Sequence, residues 1–367
     1  MMNSLIIEKF KLFDHLEIKN LSRVNLIVGK NNVGKSTLLE ALKLYASNAS
    51  INDLLEILEN RGELWKSEAF PLEQQSAGHF LQNLFFDRNV PDLGTKGIVI
   101  GPVDHQIHIF TAARQYIPDQ AQLKIDFKSV ENIDDLAEIV PVLVLERREQ
   151  RQIIFRLDQG LEEARRRSRL RSYSSKENEA NYIYQSVSTQ KTPSRILDNL
   201  WNLRRLSLGE EVIHALQFID PKISGITFID DASSPRKRIA LAQIEGSDQL
   251  VPLQSMGDGI NRLFEISVAL INAQNGLLLI DEFENGLHWT VQPRIWDIIF
   301  QLAERLNVQV FATTHSRDCV QGFETAWKKY PELGAYIRLD QKDMGIRATE
   351  YTLETLSDSL EMDIETR

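Results

Sequence analysis

The most specific chemical pattern in the chain is the octapeptide GKNNVGKS at residues 29–36, which matches GxxxxGK[ST]. Apolar residues (NLIV) precede it and helical spacing follows it, so it joins a strand to a helix. Such a loop turns its backbone N–H groups towards phosphate oxygens, and the positive end of the helix dipole adds to the attraction. The pattern predicts a phosphate-binding loop, and a plain glycine turn before an amphipathic helix is the alternative.

Within this loop, Lys35 is predicted to contact the β- and γ-phosphates, and the Ser36 hydroxyl is predicted to ligate Mg²⁺. The residues predicted to bind the nucleotide phosphates are Gly29, Lys30, Asn31, Asn32, Val33, Gly34, Lys35, Ser36 and Thr37.

A second chemical pattern is the acidic pair Asp281 and Glu282, which ends the apolar run LLLI. A parallel strand delivers such residues to the sheet edge at which ligands gather in open α/β folds. Asp281 is predicted to hold Mg²⁺ directly or through water, and Glu282 to orient and deprotonate the attacking water. The alternative is a solvated acidic turn, and the accompanying phosphate loop makes it the weaker interpretation.

Two further segments could contact phosphate. In LQSMGDGINRL (253–263), small residues at a helix N-terminus predict an anion site, although an ordinary capped loop has the same appearance. In FATTHS (311–316), His315 ends an apolar strand and is predicted to stand beside the γ-phosphate and sense it. A histidine satisfied by local hydrogen bonds is the alternative. The anion-site residues are Ser255, Gly257, Asp258 and Gly259.

The elements that position these residues follow from apolar periodicity. Helices are predicted over 35–46, 260–273 and 290–306, and short apolar strands over 277–281 and 308–313. Alternating helices and nearly continuous apolar strands indicate a buried parallel sheet. The middle of the chain contains strand-like alternation instead, which predicts an insertion of about 150 residues between the first helix and the second half.

Composition restricts the function class. The 367 residues carry a net charge of −10, and Cys319 is the single cysteine, which fits a reducing compartment and excludes an internal disulfide framework. No apolar run approaches the length of a membrane helix, and charged residues interrupt the N-terminus before a signal-peptide core could form, so a cytoplasmic location is expected.

Five segments together resemble the SMC, RecF and OLD group of ABC-type ATPases, and most of all the compact bacterial ATP-binding proteins labelled AAA-family or AAA15-like. These segments are IEKFKLFDHLEI, GKNNVGKS, SMGDG, LLIDEFENGLH and VQVFATTHS. The resemblance implies an α/β fold: a P-loop NTPase with an ABC-type head, built from a mixed sheet core flanked by helices, an antiparallel β lobe and a helical insertion. It places the nucleotide-binding core at 1–46 and 210–345, with 47–209 as the inserted lobe of a single bilobal head.

The resemblance also implies a homodimer that sandwiches ATP and Mg²⁺. Residues 255–259 of one subunit would complete the site of the other, and residues 284–288 would form the D-loop across the interface. Hydrolysis through Glu282 would then release the subunits. The Q-loop glutamine stays open between Gln74, Gln75, Gln82 and Gln115.

The expected role is an ATPase that gates a separate effector, expected to be a nuclease, in DNA repair or anti-phage defence. A low-turnover ATP-dependent clamp on DNA is the alternative, and an ABC transporter subunit is a weaker one. A TOPRIM nuclease domain is not expected after His315, because such a domain needs the length of a small domain of its own. The stretch between Arg147 and Arg171 could contact DNA phosphates or could form a salt-bridged helix face, and the sequence favours neither.

Overall fold

Three β-sheets and six helices with defined bounds organise the part of the chain that the structure, a computed structural model, describes. The described residues are 1–63, 80–115, 139–158, 181–185, 209–210, 212–231, 234–247, 249–342 and 345–366.

The strands follow in chain order. They are β1 (Leu5–Phe10), β2 (Phe13–Ile18), β3 (Val24–Val28), β4 (Ile98–Gly101), β5 (Ile107–Gln115), β6 (Ile139–Arg147), β7 (Gln150–Arg156), β8 (Tyr182–Gln185), β9 (Ile223–Asp231), β10 (Ser234–Ile244), β11 (Leu250–Pro252), β12 (Leu277–Ile280), β13 (Gln309–Thr314), β14 (Gly334–Lys342) and β15 (Gly345–Tyr351). The helices are α1 (Lys35–Ala46), α2 (Ile51–Asn60), α3 (Asp258–Asn272), α4 (Gln292–Arg305), α5 (Arg317–Trp327) and α6 (Leu353–Glu361).

The core sheet has the strand order β15-β14-β3-β13-β12-β8. All neighbouring pairs from β14 to β8 are parallel, and β15 adds an antiparallel edge. Every residue of β3, β12 and β13 is buried, because helices cover both faces of the sheet and leave no polar side to the strands. The buried parallel sheet predicted from the apolar runs is confirmed.

Two hydrophobic clusters lie on opposite faces of this sheet. Leu279 and Phe311 face the cluster that contains α1 and the antiparallel lobe, whereas Leu278 and Val310 face the cluster that contains α3, α4 and α5. Side chains alternate between the faces with the period of two that a strand imposes. The predicted helices are confirmed, with α3 beginning two residues earlier than the spacing indicated.

A second, antiparallel sheet has the order β2-β1-β4-β5-β6-β7, which confirms the predicted antiparallel lobe. The first 18 residues contain a tight hairpin of β1 and β2 in which Phe10 pairs with Phe13. Lys11 turns the chain there with φ of 48°. A small third sheet, β11-β10-β9, leads into the loop before α3.

Strand β8 lies inside the predicted insertion yet pairs in parallel with β12 of the core sheet. The core therefore takes a strand from residues that the sequence placed in the inserted lobe. The described residues contain no helix with both the length and the apolar character needed to cross a bilayer.

Candidate functional site

The phosphate loop lies between β3 and α1 and depends on two glycines. Gly29 has φ of 149°, and a Cβ there would lie 2.5 Å from the backbone oxygen of Leu339. Gly34 has φ of 91°, and its Cβ would lie 2.7 Å from Cζ of Phe13. Any larger residue would have to displace its neighbours and strain the backbone, so the loop conformation requires glycine at both positions.

The Lys35 side chain folds back over this loop. Its ammonium donates hydrogen bonds to the backbone oxygens of Gly29 (2.7 Å) and Lys30 (2.9 Å). Burial lowers the pKa of Lys35, and the negative charges of Asp281, Glu284 and Glu282 counteract that shift. Lys35 and the acidic segment therefore lie within electrostatic range of each other.

Helix α1 begins directly after the loop, with Gly34 as its N-cap and no side chain capping it. The N–H groups of the first turn and the helix dipole thus point into the loop, which suits an anion. A second cation, Arg61, which no short sequence pattern indicated, lies at this end of α1. Arg61 donates from Nη2 to the Thr37 hydroxyl (3.3 Å) and from Nε to Glu40 (2.8 Å).

The acidic pair is fixed by Thr313, a completely buried residue of the neighbouring strand β13. Its hydroxyl donates to Oδ1 of Asp281 (2.6 Å) and accepts the backbone N–H of Glu282 (2.9 Å). The backbone oxygen of Thr313 accepts the N–H of Phe283 (2.9 Å). One residue therefore holds the Asp281 carboxylate and the Glu282 backbone at the carboxyl edge of the sheet.

Glu282 has a left-handed backbone, with φ of 46°, which is unfavourable for a residue that carries a Cβ. Such conformations persist where surrounding contacts impose them. Here the Thr313 hydroxyl fixes the N–H of Glu282, and the Asn285 amide donates to its Oε2 (2.8 Å). The left-handed conformation of Glu282 turns the chain away from the extended path of β12.

His315 follows β13 and is held by Glu284. Its backbone N–H and its ring Nδ1 both lie 3.0 Å from Oε1 of Glu284. The ring remains about half exposed, while the Glu284 side chain is almost fully buried. The contact with Glu284 fits the interpretation of His315 as a histidine satisfied by local hydrogen bonds. Its place at the edge of the sheet also fits the predicted γ-phosphate sensor.

The anion-site loop before α3 is exposed at Ser255, Gly257 and Asp258. The Asn261 amide stabilises this loop by donating hydrogen bonds to the backbone oxygens of Leu253 (3.0 Å) and Gly257 (2.8 Å). A Cβ at Gly257 or Gly259 would meet no atom within 4 Å, so the outer side of the loop is open. A Cβ at Gly286 would lie 3.8 Å from Cβ of Asp258, so residues 284–288 adjoin the same loop.

The topology gives a further candidate for the Q-loop glutamine. Gln185 ends β8 in register with Ile280, the residue before Asp281, so its backbone reaches the same edge of the sheet. Of the four glutamines left open, Gln82 begins a 3₁₀ turn and Gln115 ends β5 of the antiparallel lobe. Gln74 and Gln75 lie outside the described residues.

Three of the four described arginines between Arg147 and Arg171 have partners within the chain, namely Arg147, Arg151 and Arg156. Arg147 bonds to Asn48 and lies 5.4 Å from the Tyr45 ring centroid. Arg151 pairs with Glu146, and Arg156 pairs with Asp158 (2.6 Å). This part fits the salt-bridged alternative, and residues 159–171 lie outside the described residues.

Two family models and an ATP/GTP phosphatase match the sequence of this chain. The sequence model of the family "AAA domain, putative AbiEii toxin, Type IV TA system" matches residues 126–318, and that of the family "AAA ATPase domain" matches residues 1–88. The chain is 26% identical over 338 residues to an ATP/GTP phosphatase of Helicobacter pylori, a match that covers 88% of this chain and 87% of that protein.

Similar solved structures are SMC heads. The SMC head bound to the C-winged helix domain of ScpA aligns with a TM-score of 0.48 and 13% identity, covering 97% of this chain and 99% of that chain. The SMC head domain from Thermotoga maritima aligns with a TM-score of 0.45 and 12% identity, covering 96% and 99%.

The Thr313 hydroxyl bridge predicts a stability cost for Thr313→Val. The isosteric change leaves Oδ1 of Asp281 and the N–H of Glu282 without their partner, so the free energy of unfolding should fall by about 1–3 kcal/mol. Urea denaturation followed by circular dichroism measures it. The matched control Thr325→Val removes an exposed helical hydroxyl bonded to Gln321 and should change stability by about 0.5 kcal/mol or less. Equal losses in both variants would contradict the bridge.

Proposed function

This chain belongs to the AAA-domain ATPase family, and we propose that two copies of it close around ATP and separate after hydrolysis. The single observation that supports the proposal most strongly is the convergence of Lys35, Asp281 and Glu282, with β13 holding the two acids beside the strand that leads into the phosphate loop. Lys35 would supply the cation, Asp281 the metal-binding carboxylate and Glu282 the base that phosphoryl transfer requires.

Residues 29–37 would bind the triphosphate. At the two glycines the backbone passes so close to Leu339 and Phe13 that no side chain fits there, and the backbone N–H groups of the loop would bind the phosphates. Lys35 would exchange its hydrogen bonds to Gly29 and Lys30 for bonds to the β- and γ-phosphates. Arg61, held against Thr37, would add a second positive charge at the start of α1.

Ser36 and Asp281 supply the hydroxyl and carboxylate oxygens that suit Mg²⁺, which typically takes one or two protein oxygens and completes its shell with phosphates and water. Among the described residues, no three His, Cys, Asp or Glu side chains form a metal cluster of their own. The donor set therefore fits a metal held jointly with the nucleotide. When bound, Mg²⁺ would neutralise charge on the β- and γ-phosphate oxygens.

Glu282 would act on the attacking water. Its carboxylate would accept a proton as the water oxygen bonds to the γ-phosphorus and the bond to the β–γ bridging oxygen breaks, giving ADP and phosphate. The Asn285 amide at Oε2 orients this carboxylate. His315, held at Nδ1 by Glu284, would present its other ring nitrogen to the γ-phosphate.

The second subunit would contribute residues 255–259. Ser255, Gly257 and Asp258 are exposed, and the space above Gly257 and Gly259 is open, as a loop that receives the partner's nucleotide requires. The neighbouring segment 284–288 adjoins this loop, so both would meet the partner on one face. The trans arrangement comes from the resemblance to ABC-type heads, and the exposed loop agrees with it.

The switch would act on a separate effector, with a nuclease as the leading candidate, in DNA repair or anti-phage defence. The family description, which includes putative AbiEii toxins of a type IV toxin–antitoxin system, agrees with a defence setting without fixing the role of this chain. Measuring ATP turnover of the purified protein with and without DNA distinguishes the effector-gating ATPase from a low-turnover DNA clamp.

Replacing the proposed base gives a direct test. Glu282→Gln removes the proton acceptor but keeps the side-chain volume, so phosphate release should slow about 10²–10⁴-fold while ATP binding persists. The ATP-bound dimer should then accumulate, as measured by size-exclusion chromatography with light scattering.

Two variants control that experiment. Glu304→Gln, an exposed glutamate of α4, should keep wild-type turnover. Combining Glu282→Gln with Ser255→Arg should keep ATP binding but abolish the dimer, since the bulky cation would occupy the partner's nucleotide site. A monomeric, nucleotide-bound Glu282→Gln protein, or a double variant that still dimerises, would refute the sandwich.

The register of β8 predicts the Q-loop residue. Gln185→Ala should lower turnover by about tenfold or more, because β8 ends with residue 185 at the edge of the sheet where the attacking water and the metal would lie. Gln82→Ala, at a 3₁₀ turn beside the antiparallel lobe, should not change turnover. The opposite pattern in a phosphate-release assay would assign the role to Gln82 instead.

A further inference from the structure

Trp289 is a large apolar side chain that the fold leaves in contact with solvent. It is 60% exposed, whereas Trp296 and Trp327, the other tryptophans among the described residues, are buried. Tryptophan combines a large apolar area with few rotatable bonds and is enriched at protein interfaces. A single exposed apolar residue is nevertheless common on protein surfaces, so its surroundings decide whether it marks an interface.

The backbone on both sides of Trp289 is fixed. Leu287 is buried, and its backbone oxygen accepts a hydrogen bond from the buried Gln292 amide (3.2 Å). The backbone oxygen of His288 accepts the N–H of Val291 (3.1 Å), and that of Trp289 accepts the N–H of Gln292 (3.3 Å). The indole is therefore presented on a turn that the start of α4 holds in place. A residue on a fixed turn loses little backbone freedom on binding, which favours its use as an anchor.

The turn that carries Trp289 continues the surface of loop 255–259. A Cβ at Gly286 would lie 3.8 Å from Cβ of Asp258 in that loop. Trp289 follows Gly286 by three residues, so their Cα atoms are at most about 11 Å apart. The exposed residues of the two segments, which we call the Trp289 surface, are Gln254, Ser255, Gly257, Asp258, Gly286, His288, Trp289 and Thr290.

The Trp289 surface is poor in charge. Asp258 is the one Asp, Glu, Lys or Arg among its residues, although these types make up 26% of the chain. Interface cores between proteins are depleted of charge in the same way and contain aromatic anchors. A nucleic-acid surface would instead need Lys or Arg to neutralise phosphates, and the Trp289 surface has neither. Its chemistry therefore favours a protein partner.

We propose that Trp289 anchors the contact between two copies of this chain in the ATP-bound state. The inference rests on the proposed function, which brings the adjoining loop 255–259 against the second copy. That loop is made mainly of small and polar residues, so Trp289 would supply the apolar area that it lacks. In a dimer with two-fold symmetry the same surface is used twice, and both copies of the indole would be buried.

The test measures the dissociation constant of the Glu282→Gln dimer in Mg-ATP by analytical ultracentrifugation. Adding Trp289→Ala should raise it by about a hundredfold or more, because each dimer loses the anchor twice. Trp289→Phe keeps part of the apolar area and should have a smaller effect. Affinity of the monomer for ATP should not change in either variant.

Phe218→Ala is the matched control, because Phe218 is also an exposed aromatic residue. Phe218 lines a cavity with Ile298 and Leu302, which lie two to three turns beyond Trp289 along α4. Its replacement should leave the dissociation constant unchanged. An equal loss in Phe218→Ala and Trp289→Ala would contradict a specific anchor.

Turnover separates an anchor from a residue that merely supports the fold. In the wild-type background, Trp289→Ala and Trp289→Phe should lower ATP turnover at low protein concentration, and turnover should recover as the concentration rises. Thermal unfolding should be unchanged, since the side chain is exposed. A loss of turnover that is equal at every protein concentration would overturn the inference.

Thiol labelling locates the contact. In Glu282→Gln protein with Thr290→Cys, Mg-ATP should slow labelling by about tenfold where about nine-tenths of the protein is dimeric. The natural Cys319 is buried and should not interfere. Val103→Cys, at an exposed position between β4 and β5, is the control and should be labelled at the same rate with and without Mg-ATP.

The failure of this inference can be distinguished from the failure of the proposed function. A Glu282→Gln dimer that Trp289→Ala leaves equally tight would refute the anchor, assign the Trp289 surface to another partner and keep the ATP-closed dimer. Glu282→Gln protein that binds ATP and stays monomeric at every concentration would refute both.

Discussion

The site depends on one buried hydroxyl. Thr313 donates to the Asp281 carboxylate and accepts from the backbone N–H of Glu282, so a single side chain of β13 fixes two consecutive acidic residues directly after β12. Burial of this hydroxyl costs desolvation free energy, and its two hydrogen bonds compensate that cost. A shift of one residue between β12 and β13 would turn Thr313 to the other face and release both acids.

The parallel sheet explains why this register is secure. Strands β3, β13 and β12 are buried on both faces, so each is held by apolar contacts with helices as well as by its ladder hydrogen bonds. Their carboxyl ends lead into the phosphate loop, His315 and the acidic pair, respectively. A rigid sheet thus brings together residues far apart in sequence, while the loops that carry them remain accessible at its edge.

The sequence predicted what local spacing encodes. Gly29, Gly34 and Lys35 reveal the loop because a phosphate cradle needs small residues and a cation at fixed offsets, and the run LLLI ends at Asp281 because a buried strand must stop at its first charge. These predictions concern residues that are neighbours in the chain. The predicted helices and core strands follow the same rule and agree with the structure to within about two residues at their ends.

The features that the sequence did not reveal depend on long-range register. Thr313 is one of two threonines in FATTHS, and only its pairing across to Asp281 distinguishes it. Gln185 ends a four-residue strand whose core position follows from its ladder with β12. The contact between Glu284 and His315 likewise joins two loops that no short pattern relates.

The central claim is that Lys35 and the acids across from it form one site for Mg-ATP. Isothermal titration calorimetry of wild-type protein, of Lys35→Ala and of Lys329→Ala, a surface lysine paired with Asp297, tests it most directly. Wild-type and Lys329→Ala proteins should bind with the same affinity, and Lys35→Ala should bind about tenfold to a hundredfold more weakly, the value of a charge-assisted hydrogen bond. Absence of binding heat in the wild-type protein, or unchanged affinity in Lys35→Ala, would contradict the account.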